Sequence, residues 1–193
     1  EGMFEAGIVA GASITQINLK GPFAYLSKME YGSSINPSLG IFYDLKFVRT
    51  KGWRLANELL FTSFDVKGDG FFEDFPDYSA SSSFSYSYLK TYHALHVGLL
   101  AQGKFYAAAG LTAGVVIDED VEVKLMYETG TTSYRNFQSK KFEFGYLAGL
   151  GFRGGSWNAE FRFEQTNGIA NSLSVGSTTL RGYFLIRYRI LAP

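Results

Sequence analysis

The chain has no cysteine, only four prolines in 193 residues, two histidines and a formal net charge of zero. Each scarcity excludes something. Without cysteine there is no disulfide, no thiolate nucleophile and no cysteine-ligated metal. With charge balanced, no strong field recruits nucleic acid. No apolar run approaches the roughly 18 residues of a membrane helix. That removes helical spanning and leaves spanning by strands open, and a mean hydropathy of −0.02 suits strands that alternate apolar and polar residues. No 3.6-residue pattern of useful length appears. No linker or low-complexity tract divides the chain, so 1–193 reads as a single domain. It begins at Glu1 without an initiator methionine or apolar leader, and is expected to be a mature chain whose export signal has been removed.

What is abundant is aromatic and small. There are 18 Phe, 13 Tyr and 22 Gly, a mixture that suits strands and tight turns. Eight alternating segments follow one another, at about 3–17, 37–49, 53–66, 84–100, 105–118, 141–153, 156–166 and 178–190. Each exceeds the usual globular strand of ~5–6 residues and covers the ~9–11 residues of a tilted membrane strand. Three connections are short: Thr50–Gly52, Ala101–Lys104 and Gly154–Ser156. Four are longer and polar, near 18–36, 67–83, 119–140 and 167–177. Short and long alternate throughout. The expectation is an all-β, eight-stranded antiparallel up-and-down transmembrane β-barrel, with both termini on the short-turn, periplasmic side.

Strand parity sorts the residues into two faces. One face is greasy, as in Leu180, Phe184, Ile186, Tyr188 and Ile190 of the last segment. The other carries Glu5, Asp44, Lys46, Arg54, Glu58, Lys90, His96, Glu143, Arg153, Glu160, Arg162, Glu164, Arg181, Arg187 and Arg189. In a soluble lipocalin-like lipid carrier the greasy face would point inward. Eight strands, however, enclose a lumen too narrow for so many bulky side chains. In a membrane barrel the greasy face meets lipid, and the charges fill the lumen as six acids against eight bases, where pairing makes burial tolerable. Aromatics beside the short turns (Phe4, Phe47, Trp53, Phe105, Phe152, Trp157) resemble an interfacial girdle. The membrane reading is preferred, placing the chain in a bacterial outer membrane. With Phe42, Leu60, Tyr88, Tyr92, Leu147, Tyr183 and Leu185 also inward, the lumen is expected to be closed and to form no diffusion pore.

Six stretches, "FEAGIVAGASIT", "LGIFYDL", "WRLANELLFTSFDVKG", "YLKTYHALHVGLL", "KFYAAAGLTAGVVI" and "GLGFRGG", resemble the PorT-type outer-membrane β-barrel family of Bacteroidetes-like bacteria. The similarity spans nearly the whole chain. Members often place an acidic residue and a proline after the "YL", where this chain has Lys90 and Tyr92. The resemblance implies an eight-stranded outer-membrane barrel without catalytic residues, in a family of which some members serve as accessory components of secretion or assembly machines.

Other motifs are weaker. "GLGFRG" (Gly149–Gly154) matches G-x-G-x-x-G, but a strand rather than a helix follows it. Inward Gly145, Gly149 and Gly151 more simply make room for lumen side chains. Asp65–Asp77 hints at a calcium loop, with Lys67 and Pro76 in the wrong places. Asp118–Glu122 reads as a solvated acidic loop. Phe72–Tyr88 reads as a loop over the barrel mouth or against a partner or glycan. His93 and His96, three apart, fall on opposite faces, with His93 on the costly lipid side. A lipid-modifying outer-membrane enzyme using a histidine with Ser85, Ser87 or Glu58 is an alternative. Small outward residues, Ala6, Ala10, Ala107 and Ala109, together with His93, are possible partner contacts. The expected protein is non-enzymatic, has no cofactor or metal, and works as an accessory or scaffold subunit. Its expected partners are the lipid bilayer, lipopolysaccharide and other outer-membrane or periplasmic proteins.

Overall fold

A computed structural model describes residues 3–20, 30–47, 52–72, 75–99, 104–127, 130–134, 139–169 and 176–191. Among these residues there is no helix. The ten strands are β1 (Phe4–Lys20), β2 (Glu30–Tyr31), β3 (Ile35–Lys46), β4 (Arg54–Phe72), β5 (Phe75–Gly98), β6 (Phe105–Tyr127), β7 (Gly130–Tyr134), β8 (Phe142–Gly154), β9 (Trp157–Thr166) and β10 (Gly176–Leu191). Eight of them close a barrel, in the order β1-β3-β4-β5-β6-β8-β9-β10, and β10 pairs back onto β1. Every pairing is antiparallel. The two short strands extend the wall upward, β2 against β4 and β7 against β6. Closure gives each of the eight wall strands a partner on both sides, which removes the edge that would template aggregation.

The barrel is inside out. Its exposed residues include Ile8, Ile41, Leu59, Leu95, Leu111, Phe144, Phe161, Phe163, Phe184 and Ile186. Its interior carries Asp44, Lys90, Glu160, Arg162, Arg181 and Arg187, each at most 2% exposed. The outward apolar run on β1, Phe4 to Ile14, covers 11 residues, close to the hydrocarbon span of a tilted strand. Phe47, Trp53, Phe105 and Trp157 stand exposed beside the short-turn end. There the rings of Phe105, Phe152 and Trp157 adjoin edge-on and tilted, with centroids 5.1 and 5.6 Å apart. An apolar belt with an aromatic girdle around a closed antiparallel sheet is the architecture of an outer-membrane barrel. A soluble lipocalin-like carrier requires the opposite orientation, so that alternative is set aside.

Above the belt the strands continue, and the two faces exchange polarity. On β4, outward Leu59 and Phe61 give way to outward Ser63, Asp65 and Lys67, while Phe64 and Val66 turn inward. On β5, outward Ser85 and Ser87 flank inward Phe84, Tyr86 and Tyr88. These inward residues join Ile17, Leu19, Val121, Val123 and Ile169 in an apolar cluster. Polar outward and apolar inward residues are the pattern of a sheet surrounded by water, where hydrophobic burial points inward. A β-bulge between Ser87 and Tyr88, opposite Val116–Asp118, shifts the β5–β6 register by one residue. Such a slip moves the following β6 side chains to the other face.

Three sequence expectations change accordingly. Segments 67–83 and 119–140 are not loops for most of their length: β4 and β5 run to Phe72 and from Phe75, and β6 runs to Tyr127. The stretch Phe72–Tyr88 is mainly the upper half of β5, not a loop across the mouth. Asp65 and Asp118–Glu122 lie on strands rather than in a calcium-type or free acidic loop. The physical reason is the polarity exchange, which interrupts the periodicity without interrupting the strand. The tight connections at 50–51 and 101–103, and Glu1, lie outside the described residues. The Gly154–Ser156 turn is present, with Gly155 at φ +59°, a conformation that favours glycine.

Candidate functional site: a charge-paired lumen and a polar pair on the lipid face

The lumen is built in tiers. At the short-turn end Glu5 of β1 accepts from Lys46 at 2.8 Å, from Arg189 at 2.6 Å and from Arg54. These three cations are partly exposed and form a rim. One tier up, Asp44 of β3 holds Arg187 through two contacts of 2.5 and 3.2 Å, and Arg187 also reaches Glu58 at 3.2 Å. Next, Arg162 of β9 grips Glu58 in a two-pronged pair at 2.7 and 2.9 Å and donates from Nε to Glu160 at 2.8 Å. Tyr106 donates to the same Glu160 at 2.8 Å, and His96 lies 3.7 Å from it.

The upper tier is the densest. Glu164 accepts from Tyr92 at 2.8 Å, Arg181 at 3.0 Å, Tyr183 at 3.2 Å and Lys90. Glu143 accepts from Lys90 at 2.7 Å, Arg181 at 2.8 Å and Thr166 at 2.5 Å. Aromatic faces complete the solvation: Arg187 lies 4.0 Å from the Phe42 centroid, Arg162 lies 4.9 Å from Tyr92, and Arg181 lies 5.0 and 5.1 Å from Phe64 and Tyr88. Cation–π contacts of this kind gain strength where water is excluded. Arg153 stacks over Tyr106 at 4.4 Å and donates to the Gly52 carbonyl at 3.1 Å.

Small residues opposite large ones make this packing fit. A Cβ at Gly151 would collide with the Tyr106 ring, and one at Gly114 would meet Lys90 Cγ at 2.8 Å. Lys90 and Tyr92 both bind Glu164, so the two positions belong to one compensated cluster. The lumen fillers Phe42, Leu60, Tyr88, Tyr92, Leu147, Tyr183 and Leu185 are all buried. Among the described residues, buried charges number six acids (Glu5, Asp44, Glu58, Glu143, Glu160, Glu164) and five bases (Lys90, Arg153, Arg162, Arg181, Arg187). Chemically, such a stack can stiffen a barrel and seal it; it offers no free nucleophile.

The remaining expected site residues divide. His93 is exposed on the lipid face, and its Nδ1 donates to Asn57 Oδ1 at 2.8 Å. In register the two are direct neighbours, halfway up the apolar belt. Asn57 is only 5% exposed, and its amide leans on the Tyr43 and Leu55 carbonyls at 3.4 Å. The sequence reading missed Asn57, although it shares parity with Leu55 and Leu59. Ala107 and Ala109 of β6 lie beside Val97 and Leu95, on the same wall as His93. Ala6 and Ala10 of β1 lie four strands away around the barrel. The five possible contacts therefore form two opposite patches, not one.

Neither of the expected serine companions, Ser85 and Ser87, lies beside a histidine. Ser87 sits six residues from His93 along β5, about 20 Å at the rise of a strand. His96 is fully buried against Tyr106, with ring centroids 4.4 Å apart, and Glu58 is committed to Arg162 and Arg187. Asp65 and Asp69 lie four residues apart on β4, about 13 Å at the same rise. Among the described residues no cluster of three His, Asp or Glu is arranged to hold a metal ion. "GLGFRG" lies on β8 and turns directly into β9.

Inverted faces, an aromatic girdle and a charge-paired lumen define an integral β-barrel of the outer-membrane type. No protein-family model and no curated protein matches the chain. Solved structures of similar architecture include the outer membrane protein OprG from Pseudomonas aeruginosa, at 12% identity and TM-score 0.44 over 100% of this chain and 98% of that one. Ail of Yersinia pestis, in complex with the heparin analogue sucrose octasulfate, is similar at 14% identity and TM-score 0.40 over 97% and 99%. Neisserial surface protein A is similar at 12% identity and TM-score 0.39 over 96% and 99%.

Proposed function

We propose that the protein is a non-enzymatic accessory or scaffold subunit of a secretion or assembly complex in a bacterial outer membrane, of the PorT type. The observation that carries this reading is the packed lumen, whose described charges are buried and largely ion-paired. From Glu5 to Tyr88 the axis is filled by paired charges and aromatic rings, so neither a solute path nor an open catalytic cleft runs through it. A barrel of this kind can act only through its outer wall, its turns and its upper rim.

On the outer wall, the β4–β5–β6 face is the favoured contact for a protein partner. A polar side chain at mid-belt is costly toward acyl chains, and the His93–Asn57 pair sits beside small Ala107 and Ala109, which permit close approach. The six stretches resembling the PorT-type family fall on the wall strands β1, β3, β4, β5, β6 and β8, which supports a role played through the wall.

A photocrosslinker placed at His93, and separately at Ile186 on the far wall, tests the proposal in the native membrane. A discrete protein adduct is expected from His93 and none from Ile186. Adducts at neither position, or equal adducts at both, contradict the proposed face.

A further inference from the structure

On the wall made by β9, β10, β1 and β3 the lipid-facing surface is grooved. Gly182 of β10 presents no side chain outward. Phe161 and Phe163 rise on one side of it, and Ile14 and Ile35 on the other. The walls are ridges rather than a flat surface: Phe163 is 65% and Ile35 77% exposed. Between them lies a cleft of about 340 Å³ with an almost wholly apolar lining. A second cleft of about 350 Å³ shares Ile14, Phe163 and Gly182 and continues upward to Gln16, Ser33 and Tyr31. The two clefts adjoin at these shared residues, the lower almost wholly apolar and the upper, at the extracellular end, partly polar.

We propose that this groove is a built site for one acyl chain of lipopolysaccharide, with the sugar end of the lipid against Gln16 and Ser33. The groove is continuous with the lipid-facing belt on both sides, so its occupant comes from the bilayer. Its polarity gradient runs apolar inward and polar outward, which orients an amphiphile with its head on the extracellular side. That is the leaflet an outer membrane builds from lipopolysaccharide. A smaller cleft on the opposite wall, about 220 Å³ around Gly114, Leu59 and Phe142, has no polar upper end. The inference rests on the outward orientation of the wall and is independent of the scaffold role.

Gly182 is the testable position. A Cβ there would meet Ile14 Cγ2 at 3.3 Å and the Phe163 ring at 3.9 Å, so a larger side chain occupies the groove rather than the lumen. The protein is extracted from its native membrane in mild detergent, and retained lipid is read by native mass spectrometry. Wild type is expected to carry lipopolysaccharide. Gly182→Phe is expected to lower retention about tenfold, since displacing only a few methylenes has that effect. Leu45→Phe, on the same belt near the short turns, should retain it fully. Heat-modified gel migration checks that each variant folds. If Gly182→Phe does not fold, Phe163→Ala, which removes one ridge, is expected to lower retention in the same direction. Equal retention in the groove variants, retention of phospholipid instead, a protein adduct in the groove, or no retained lipid in wild type each overturns the proposal.

Discussion

Arg162 shows what a single residue does in this lumen. It touches Glu58 through two nitrogens and Glu160 through a third, and it is 2% exposed. Removing one partner of a buried pair strands the other charge, at a cost of about 3–5 kcal/mol. Glu58→Gln is therefore expected to destabilise the barrel by about that amount in urea unfolding from lipid vesicles, because Arg162 and Arg187 lose a shared acceptor. Adding Arg162→Met to Glu58→Gln should cost clearly less than the sum of the single changes, since the stranded charge goes with it. Strict additivity would mean that the pair is not coupled. Above the belt, burial pushes Tyr86 up to about 12, against a hydrogen bond with Ser139 that lowers it. Burial likewise raises Tyr31 to about 12. An unfolded tyrosine titrates near 10, so the folded state holds these protons more tightly. Their contribution to stability is complete below pH 10 and is lost as pH rises toward 12. Tyr86→Phe should flatten that loss in a pH series of unfolding midpoints; an unchanged slope contradicts the assignment.

At the scale of the strand, the same element serves two solvents. β5 carries Leu89, Leu95 and Val97 outward where lipid lies, and Ser85 and Ser87 outward where water lies. An arginine on the lipid face near mid-belt costs about 2–4 kcal/mol, and near or beyond the interface about 0–1. Ala10→Arg on β1 is expected to fall in the first class and Ser85→Arg in the second, both read from folding into vesicles. Equal costs would show that the polarity exchange does not mark the bilayer surface. The exchange also explains what the sequence conceals. The eight wall strands, their faces and all the lumen charges are legible, because lipid on one side and paired charge on the other keep a strict two-residue rhythm. The upper halves of β4, β5 and β6 are not. At Ser63 and Ser87 the outward residues change from apolar to polar, and at Val116–Asp118 a bulge shifts the parity. A period-based reading ends the strands there. The alternation of Ser81, Ser83, Ser85 and Ser87 with Phe84, Tyr86 and Tyr88 was the available signal. Asn57 stayed hidden for a different reason: its importance lies in its register with His93, which a single strand does not reveal.

For the whole molecule, charge pairing and closure are one property. Eight strands enclose a lumen that side chains can fill, and here they do so with acids and bases in near balance. Reconstituted in a planar bilayer, the protein is expected to show no stepwise ionic conductance; porin-like steps would mean that the tiers open. The inside-out orientation is the claim from which the lumen, the groove and the proposed docking wall all follow. A chain without cysteine accepts a single introduced spin label with no background. Labels at Phe184 and at Ser85, measured in lipid vesicles against dissolved oxygen and a water-soluble relaxation agent, read that orientation directly. Phe184 is expected to meet oxygen and exclude the aqueous agent, and Ser85 to do the reverse. A Phe184 label shielded from both, or reached by the aqueous agent, would contradict the inside-out barrel.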